Sequence, residues 1–258
     1  MQTLTTIAKE ALLPLTGLAK TMAIYRILSK QIEKLYENYP ALHTHRDVTL
    51  HLLEKAQEQE GSTSSEGLPT VVIAVGHSRK HDEGATTWDG STSEHGFNLK
   101  IATQVCELLE QSGLVKPVLL SKYGGKTYSQ AIKWLSDKVN SLSDVALVAE
   151  LHFNSSSNNK ATGHEFLYWH SSSKGAAIAQ TFSAKMCETF PKLQDRGAKP
   201  IKKGERGSLF LRKLAPVCLL CEPFFGSNLS DWNTFKDQKA QRELATSYFE
   251  AIIESVLS

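Results

Sequence analysis

The sequence predicts an α/β fold: a three-layer sandwich with a mixed, mostly parallel central sheet and flanking helices, preceded by a small N-terminal helical segment. Three observations predict it. From residue 70 onward, short apolar runs alternate with longer stretches of helical periodicity. The run Val71 to Val75 is apolar at every position, as a strand buried on both faces requires. Ahead of it, the small polar stretch "GSTSSEGL" at 61–68, followed by Pro69, sets the alternating part off from a purely helical start.

The elements follow in order. Leu18, Met22, Tyr25, Leu28, Ile32, Leu35 and Tyr39 step by threes and fours, one stripe of a helix that Pro40 ends. Residues 46–59 predict a second, shorter helix. So few helices in about 60 residues supply little core of their own. Residues 70–75 predict the first strand. Residues 93–113, "SEHGFNLKIATQVCELLEQSG", predict a helix with Ser93 as N-cap, Leu99, Ala102, Val105 and Leu109 on its inner face, and Gly113 as C-cap. A strand over 116–121 and a helix over 129–142 come next. Strands over 144–154 and 163–170, a helix over 174–190, a strand over 215–225 and a closing helix over 237–257 complete the chain. The expected division is a helical segment 1–60, a linker 61–68 and a main domain 69–258.

Composition narrows the function. A chain of 258 residues with 22% charged and 41% hydrophobic content suits one large domain, or one with a small appendage. A net charge of +2 is too mild to argue for a nucleic-acid partner. No stretch approaches the ~20 apolar residues that cross a bilayer. The start has no basic n-region, and Lys9 and Glu10 interrupt it. Synthesis in the cytoplasm without a standard secretory signal is therefore expected. Cys106, Cys187, Cys218 and Cys221 lack the paired spacing of a zinc ribbon and read as buried thiols.

The chemistry gathers where open α/β sheets keep their sites, at the carboxyl ends of strands. The first strand ends at Gly76-His77, the strand proper at 145–151 ends in Leu151-His152-Phe153-Asn154, and that at 216–221 ends in Cys221-Glu222-Pro223. The first long helix opens with Ser93-Glu94. Two histidines and two carboxylates are donors that zinc accepts. Each also has a plain structural reading. Glu94 complements a helix N-terminus by its charge alone. A histidine at a strand tip is most often a hydrogen-bonded surface residue. Glu222 stands in a very apolar run, where an unpartnered carboxylate is costly.

These same residues resemble a family. The zinc-dependent N-acetylmuramoyl-L-alanine amidases of cell-wall autolysins and phage endolysins show a strand ending in Gly-His and then a Gly-Ala. They continue with a glutamate opening an E-x-x-x-N-L helix, a strand ending in H-x-N, and a late strand ending in glutamate. Here these are Gly76-His77, Gly84-Ala85, Glu94 with Asn98-Leu99, His152-Phe153-Asn154, and Glu222. "TGHEFLYW" at 162–169, "DRGAK" at 195–199 and "FGSN" at 225–228 add to it, and the likeness covers about residues 69–258.

The resemblance implies that His77, Glu94 and His152 bind one zinc ion per chain and that Glu222 is the catalytic carboxylate. Asn154 is implied as a substrate-binding residue. The implied activity is a peptidoglycan hydrolase that cuts the amide between N-acetylmuramic acid and L-alanine of the stem peptide, by zinc-activated water with a glutamate general base. Its partners would be peptidoglycan and muropeptides, not nucleic acid, and it would act at the cell wall. The family commonly has a small residue where this chain has Glu150. By strand alternation Glu150 shares a face with His152. It reads either as a carboxylate that orients a histidine or as half of a salt bridge at a sheet edge. His81, His95, His164 and His170 are not expected as ligands. A zinc exopeptidase of related fold and a non-enzymatic wall-binding module stand as alternatives. Residues 1–60 lie outside the likeness and are open to wall binding, self-association or cover of the cleft.

Overall fold

Six strands form a single sheet in the computed structural model, which describes residues 67–257. The expected helices within 1–60 and the linker as far as residue 66 lie outside the described residues. The strands are β1 (Thr70–Val75), β2 (Lys116–Leu120), β3 (Val145–Leu151), β4 (His164–Trp169), β5 (Asp195–Ile201) and β6 (Cys218–Glu222). Their order across the sheet is β2-β1-β3-β6-β4-β5. β2, β1, β3 and β6 run parallel, while β4 pairs antiparallel with β6 and parallel with β5. The sheet is therefore mixed and mostly parallel, as its sequence predicts.

The inner strands are the apolar runs. All six residues of β1 and all five of β6 are buried, because helices cover both faces. The helices are α1 (Glu94–Ser112), α2 (Tyr128–Asn140), α3 (Ser173–Thr189), α4 (Ser208–Lys213), α5 (Leu229–Phe235) and α6 (Gln238–Leu257). On one face Ile132, Leu135 and Val139 of α2 and Phe210 and Leu211 of α4 join a cluster with Val72, Val148, Leu167 and Leu220. On the other, Phe166 of β4 meets Phe182 of α3 and Tyr248 of α6, with ring centroids 5.5 and 6.3 Å apart. Each fully buried aliphatic or aromatic side chain of this kind is worth roughly 1.5–3 kcal/mol.

Helix α1 begins one residue after Ser93, whose Oγ accepts the Gly96 N–H at 3.1 Å. Its buried stripe is Phe97, Ile101, Ala102, Val105 and Leu109. Leu99, expected on that stripe, is only half-buried, being a turn position away from it.

β3 stops at Leu151, as the 145–151 reading has it, in register with Cys221 one residue before the end of β6, so His152 and Asn154 stand beyond the strand. Other expectations change. β5 was unforeseen as a strand because "DRGAKPI" has no apolar run; it is an edge strand with no buried residue and a proline. Helices α4 and α5 span 6 and 7 residues, too few to print a period. The four cysteines are free, but Cys106 and Cys187 are half-buried rather than buried. Cys218 and Cys221 are three apart on one strand, so their side chains leave opposite faces. Among the described residues, no helix is long and apolar enough to cross a membrane.

Candidate metal centre and active site

The carboxyl ends of β1, β3 and β6 meet the start of α1. The chain turns sharply after β1, and His77 takes a left-handed φ of 56°. That conformation is uncommon for a residue with a side chain. Two glycines make room for the rings. A Cβ on Gly76 would lie 2.2 Å from His152 Cε1. A Cβ on Gly84 would lie 2.7 Å from His77 Cδ2 and 2.8 Å from Glu94 Oε2.

Glu94 sits between the two histidines with one oxygen for each. Its Oε1 is 2.8 Å from His152 Nδ1, and its Oε2 is 3.3 Å from His77 Nε2. The backbone N–H groups of Phe153 and Ala85 donate to the same carboxylate at 3.3 and 3.1 Å. Donor atoms of His77, Glu94 and His152 all lie within 4.8 Å of one another.

The remaining ring nitrogens are held from behind. Asp82 Oδ1 is 2.9 Å from His77 Nδ1, and Arg79 donates to the other oxygen of Asp82 at 2.7 and 3.0 Å. Glu150 Oε2 is 3.4 Å from His152 Nε2, and the Tyr123 hydroxyl donates to Glu150 Oε1 at 2.9 Å. Glu150 is buried on β3, an interior strand, so the alternative of a salt bridge at a sheet edge does not hold.

The electrostatics follow. Burial alone would lower the pKa values of His77 and His152. The Glu94 carboxylate beside both, with Asp82 behind one and Glu150 behind the other, overrides it and raises them. Burial likewise works against an ionised Glu94, and the two imidazoles hold it well below the usual carboxylate range. An ionised carboxylate between two imidazoles, each backed by a further carboxylate, is a donor set that suits zinc.

Glu222 ends β6, and its neighbour Cys221 pairs with Leu151, which brings Glu222 level with His152. The His152 N–H donates to the Cys221 carbonyl at 3.0 Å. The Glu222 side chain is wholly buried. Arg206 Nη2 donates to its Oε1, while its Oε2 has no partner. Burial pushes its pKa up to about 7, against the pull of Arg206 and His152.

Asn154, the expected substrate contact, is buried and engaged at both ends. Its Nδ2 donates to Glu165 Oε1 at 2.7 Å, and its Oδ1 accepts from Arg206 Nη1 at 2.7 Å. Arg196 closes the chain of contacts with a 2.7 Å bond to Glu165. A cleft of about 470 Å³ opens beside the centre, lined by His77, His152, Glu150, Tyr123, Tyr128 and Arg206 among others.

Sequence reasoning missed Asp82, Tyr123, Glu165 and Arg206. Asp82 and Arg206 lie in charged text, "RKHDE" and "KKGERG", that reads as solvated loop. Of the histidines set aside, His95 bonds the Gly76 carbonyl at 3.2 Å and His170 packs on Trp169. His164 is fully buried.

A family model described as N-acetylmuramoyl-L-alanine amidase matches residues 71–254. The fold is similar to that of the N-acetylmuramoyl-L-alanine amidase from Clostridium difficile 630, at 23% identity over 75% of this chain and 99% of that one, with a TM-score of 0.64. It is similar to the CwlD amidase from Clostridioides difficile, solved in complex with the GerS lipoprotein, at 23% identity over 73% and 98% of the two chains, TM-score 0.65. The catalytic domain of an endolysin targeting Clostridia Difficile is 27% identical over 73% and 97% of the two chains, TM-score 0.58. No curated protein sequence matches.

Proposed function

The chain belongs to the N-acetylmuramoyl-L-alanine amidase family of peptidoglycan hydrolases, and from that premise we propose how its residues divide the work. His77, Glu94 and His152 hold one zinc ion, and Glu222 is the general base. The bond cut is the amide between the lactyl group of N-acetylmuramic acid and L-alanine of the stem peptide. The observation that carries this reading is the convergence of the three donors within 4.8 Å, at the strand ends where Glu222 also lies.

Zinc at such a centre supplies a Lewis acid that polarises the scissile carbonyl and lowers the pKa of water towards ~7. The rest falls to the side chains. Asp82 holds His77 Nδ1 and Glu150 holds His152 Nε2, which fixes both rings. Arg206 occupies Glu222 Oε1, leaving Oε2 to take the proton of the attacking water. A carboxylate poised at about pH 7 then returns that proton to the leaving nitrogen. Asn154 bears on the substrate through Arg206, which it steadies at the lip of the cleft.

The muropeptide occupies the cleft, and the protein works at the cell wall. The segment 1–60 serves wall binding or self-association, and 69–258 is the catalytic domain. The test is mass analysis of purified peptidoglycan after digestion. Stem peptides with a free N-terminal L-alanine should appear beside uncut glycan, stop appearing with a chelator, and return with added zinc. Scission of another bond, or full activity in verified metal-free protein, rejects the reading.

A further inference from the structure

A second group of donors lies on the far face of the sheet. β4 presents Glu165 to the side of Glu222, its registered partner, so His164 and Phe166 point the other way, towards α3 and α6. There His164 Nε2 is 3.1 Å from Asp195 Oδ1 of β5 and 3.8 Å from Cys187 Sγ of α3. The three donor atoms all lie within 4.8 Å of one another. Ser183, one turn before Cys187, places its Oγ 3.3 Å from the same nitrogen and donates to Asp195 Oδ1 at 2.8 Å.

We infer that His164, Cys187 and Asp195 form a second divalent-cation site of the zinc class, one that contains a thiolate and is separate from the catalytic centre. Tetrahedral zinc with nitrogen and oxygen at ~2.0–2.2 Å and sulfur at ~2.3 Å has donor-to-donor edges of roughly 3.3–3.7 Å. The two edges that meet at His164 Nε2, 3.1 and 3.8 Å, bracket that range. The His164 ring is wholly buried, while Asp195 is about half exposed and leaves a way in for the ion and for water.

Burial, only partly offset by Asp195, keeps His164 low and therefore neutral, the form that ligates. Burial, with Asp195 and Glu188 close by, holds the Cys187 thiol up. A divalent ion has to displace that thiol proton, so its binding strengthens as pH rises.

A catalytic thiol does not fit the same geometry. Cys187 and Asp195 both approach Nε2, so the ring cannot relay a proton from one to the other. A purely hydrogen-bonded cluster, in which the Cys187 thiol donates to Asp195, differs from a metal site in showing no thiolate-to-metal band. The site would tie the edge strand β5 to β4 and α3. It should bind more weakly than the catalytic centre, because His164 Nδ1 is buried without a partner to fix the ring. Loss of such a support typically lowers affinity about 10–100-fold.

The test is cobalt(II) titration of the full-length, metal-stripped chain, followed in the near ultraviolet. The catalytic donors are nitrogen and oxygen alone, so a thiolate-to-cobalt charge-transfer band reports only the second site. Two cobalt ions per chain should bind, with the band growing during the second equivalent and bleaching first under a chelator. Cys187→Ser should abolish the band and Asp195→Asn should weaken it, both with unchanged muropeptide hydrolysis. His77→Ala should keep the band, which separates this inference from the catalytic reading. If Cys187→Ser fails to fold, the band and the two-ion stoichiometry of the wild type and Asp195→Asn decide. One ion per chain with no charge-transfer band, or a band that survives Cys187→Ser, overturns the proposal.

Discussion

Arg206 and Glu222 form an ion pair between a half-exposed guanidinium and a wholly buried carboxylate, at the carboxyl end of β6. Two influences act on the Glu222 carboxyl in opposite directions. Burial raises the Glu222 pKa, Arg206 lowers it, and burial prevails, leaving it at about 7 instead of the ordinary 4.5.

That displacement predicts how stability depends on pH in the metal-free protein. The folded chain keeps a proton on Glu222 that the unfolded chain releases. The stabilisation is complete below pH 4.5 and is lost as pH rises to about 7. The span corresponds to on the order of 3 kcal/mol. Glutamine imitates the protonated form, so metal-free Glu222→Gln should be more stable than wild type at pH 8 and equal to it near pH 4. Paired denaturant titrations across this range check it, and a difference that does not change with pH would sink the idea.

Removing Arg206 should push Glu222 further up, since its charge is the largest influence holding that pKa down. An opposite charge at ion-pair distance moves a carboxylate by about 1–3 pH units, and the exposure of Arg206 argues for the low end. In the zinc-loaded enzyme, Arg206→Ala should move the acid limb of the rate profile upward and recover most of its rate at alkaline pH. Arg206→Lys should fall between. A uniform loss at every pH would instead mean that Arg206 binds substrate and does not tune the base.

The carboxylates behind the rings should act on metal affinity. Asp82→Asn and Glu150→Gln each remove the negative partner of a histidine proposed as a ligand, and such changes cost about 10–100-fold in affinity or activity. Excess zinc should restore much of the rate. Glu150→Gln should be the milder at saturating zinc, because Tyr123 still has an oxygen to donate to. If Glu150→Gln stays inactive at saturating zinc with its metal bound, Glu150 takes part in proton transfer.

The sequence shows the residues whose positions are set locally. His77, His152 and Glu222 each stand at the end of an apolar run, and Glu94 follows an N-cap serine, so their convergence follows from topology. The parts that support them depend on distant contacts. Arg206 meets Asn154 across 52 residues, and Tyr123 meets Glu150 across 27. No periodicity records such pairs. β5 escapes for another reason: an edge strand needs no continuous apolar pattern, and with intermediate burial at most positions it prints none.

The composition of 61–68 makes its own prediction. Polar linkers are cut first by proteases, so limited proteolysis should cleave there. The fragment from about Pro69 should remain folded and active on soluble muropeptides. All six strands fall within it, as do His77, Glu94, His152 and Glu222. An insoluble fragment would mean that the apolar stripe from Leu18 to Tyr39 supplies part of its core.

Substitutions at the centre should separate metal binding from chemistry. His77→Ala and His152→Ala each delete one of three donors and should lose the ion. Glu222 belongs to no donor group, so Glu222→Gln should keep its zinc and its fold. Its rate should fall by at least the ~10²–10⁴ that a general base contributes. The fall should be larger if the carboxylate also steadies charge that develops in the transition state. Metal analysis beside single-turnover hydrolysis reads both properties on one sample. A Glu222→Gln protein without zinc would make Glu222 a ligand and return Glu94 to the part of a helix-start carboxylate. One that hydrolyses at the wild-type rate would pass the proton-transfer step to Glu150, a buried carboxylate 3.4 Å from His152 Nε2.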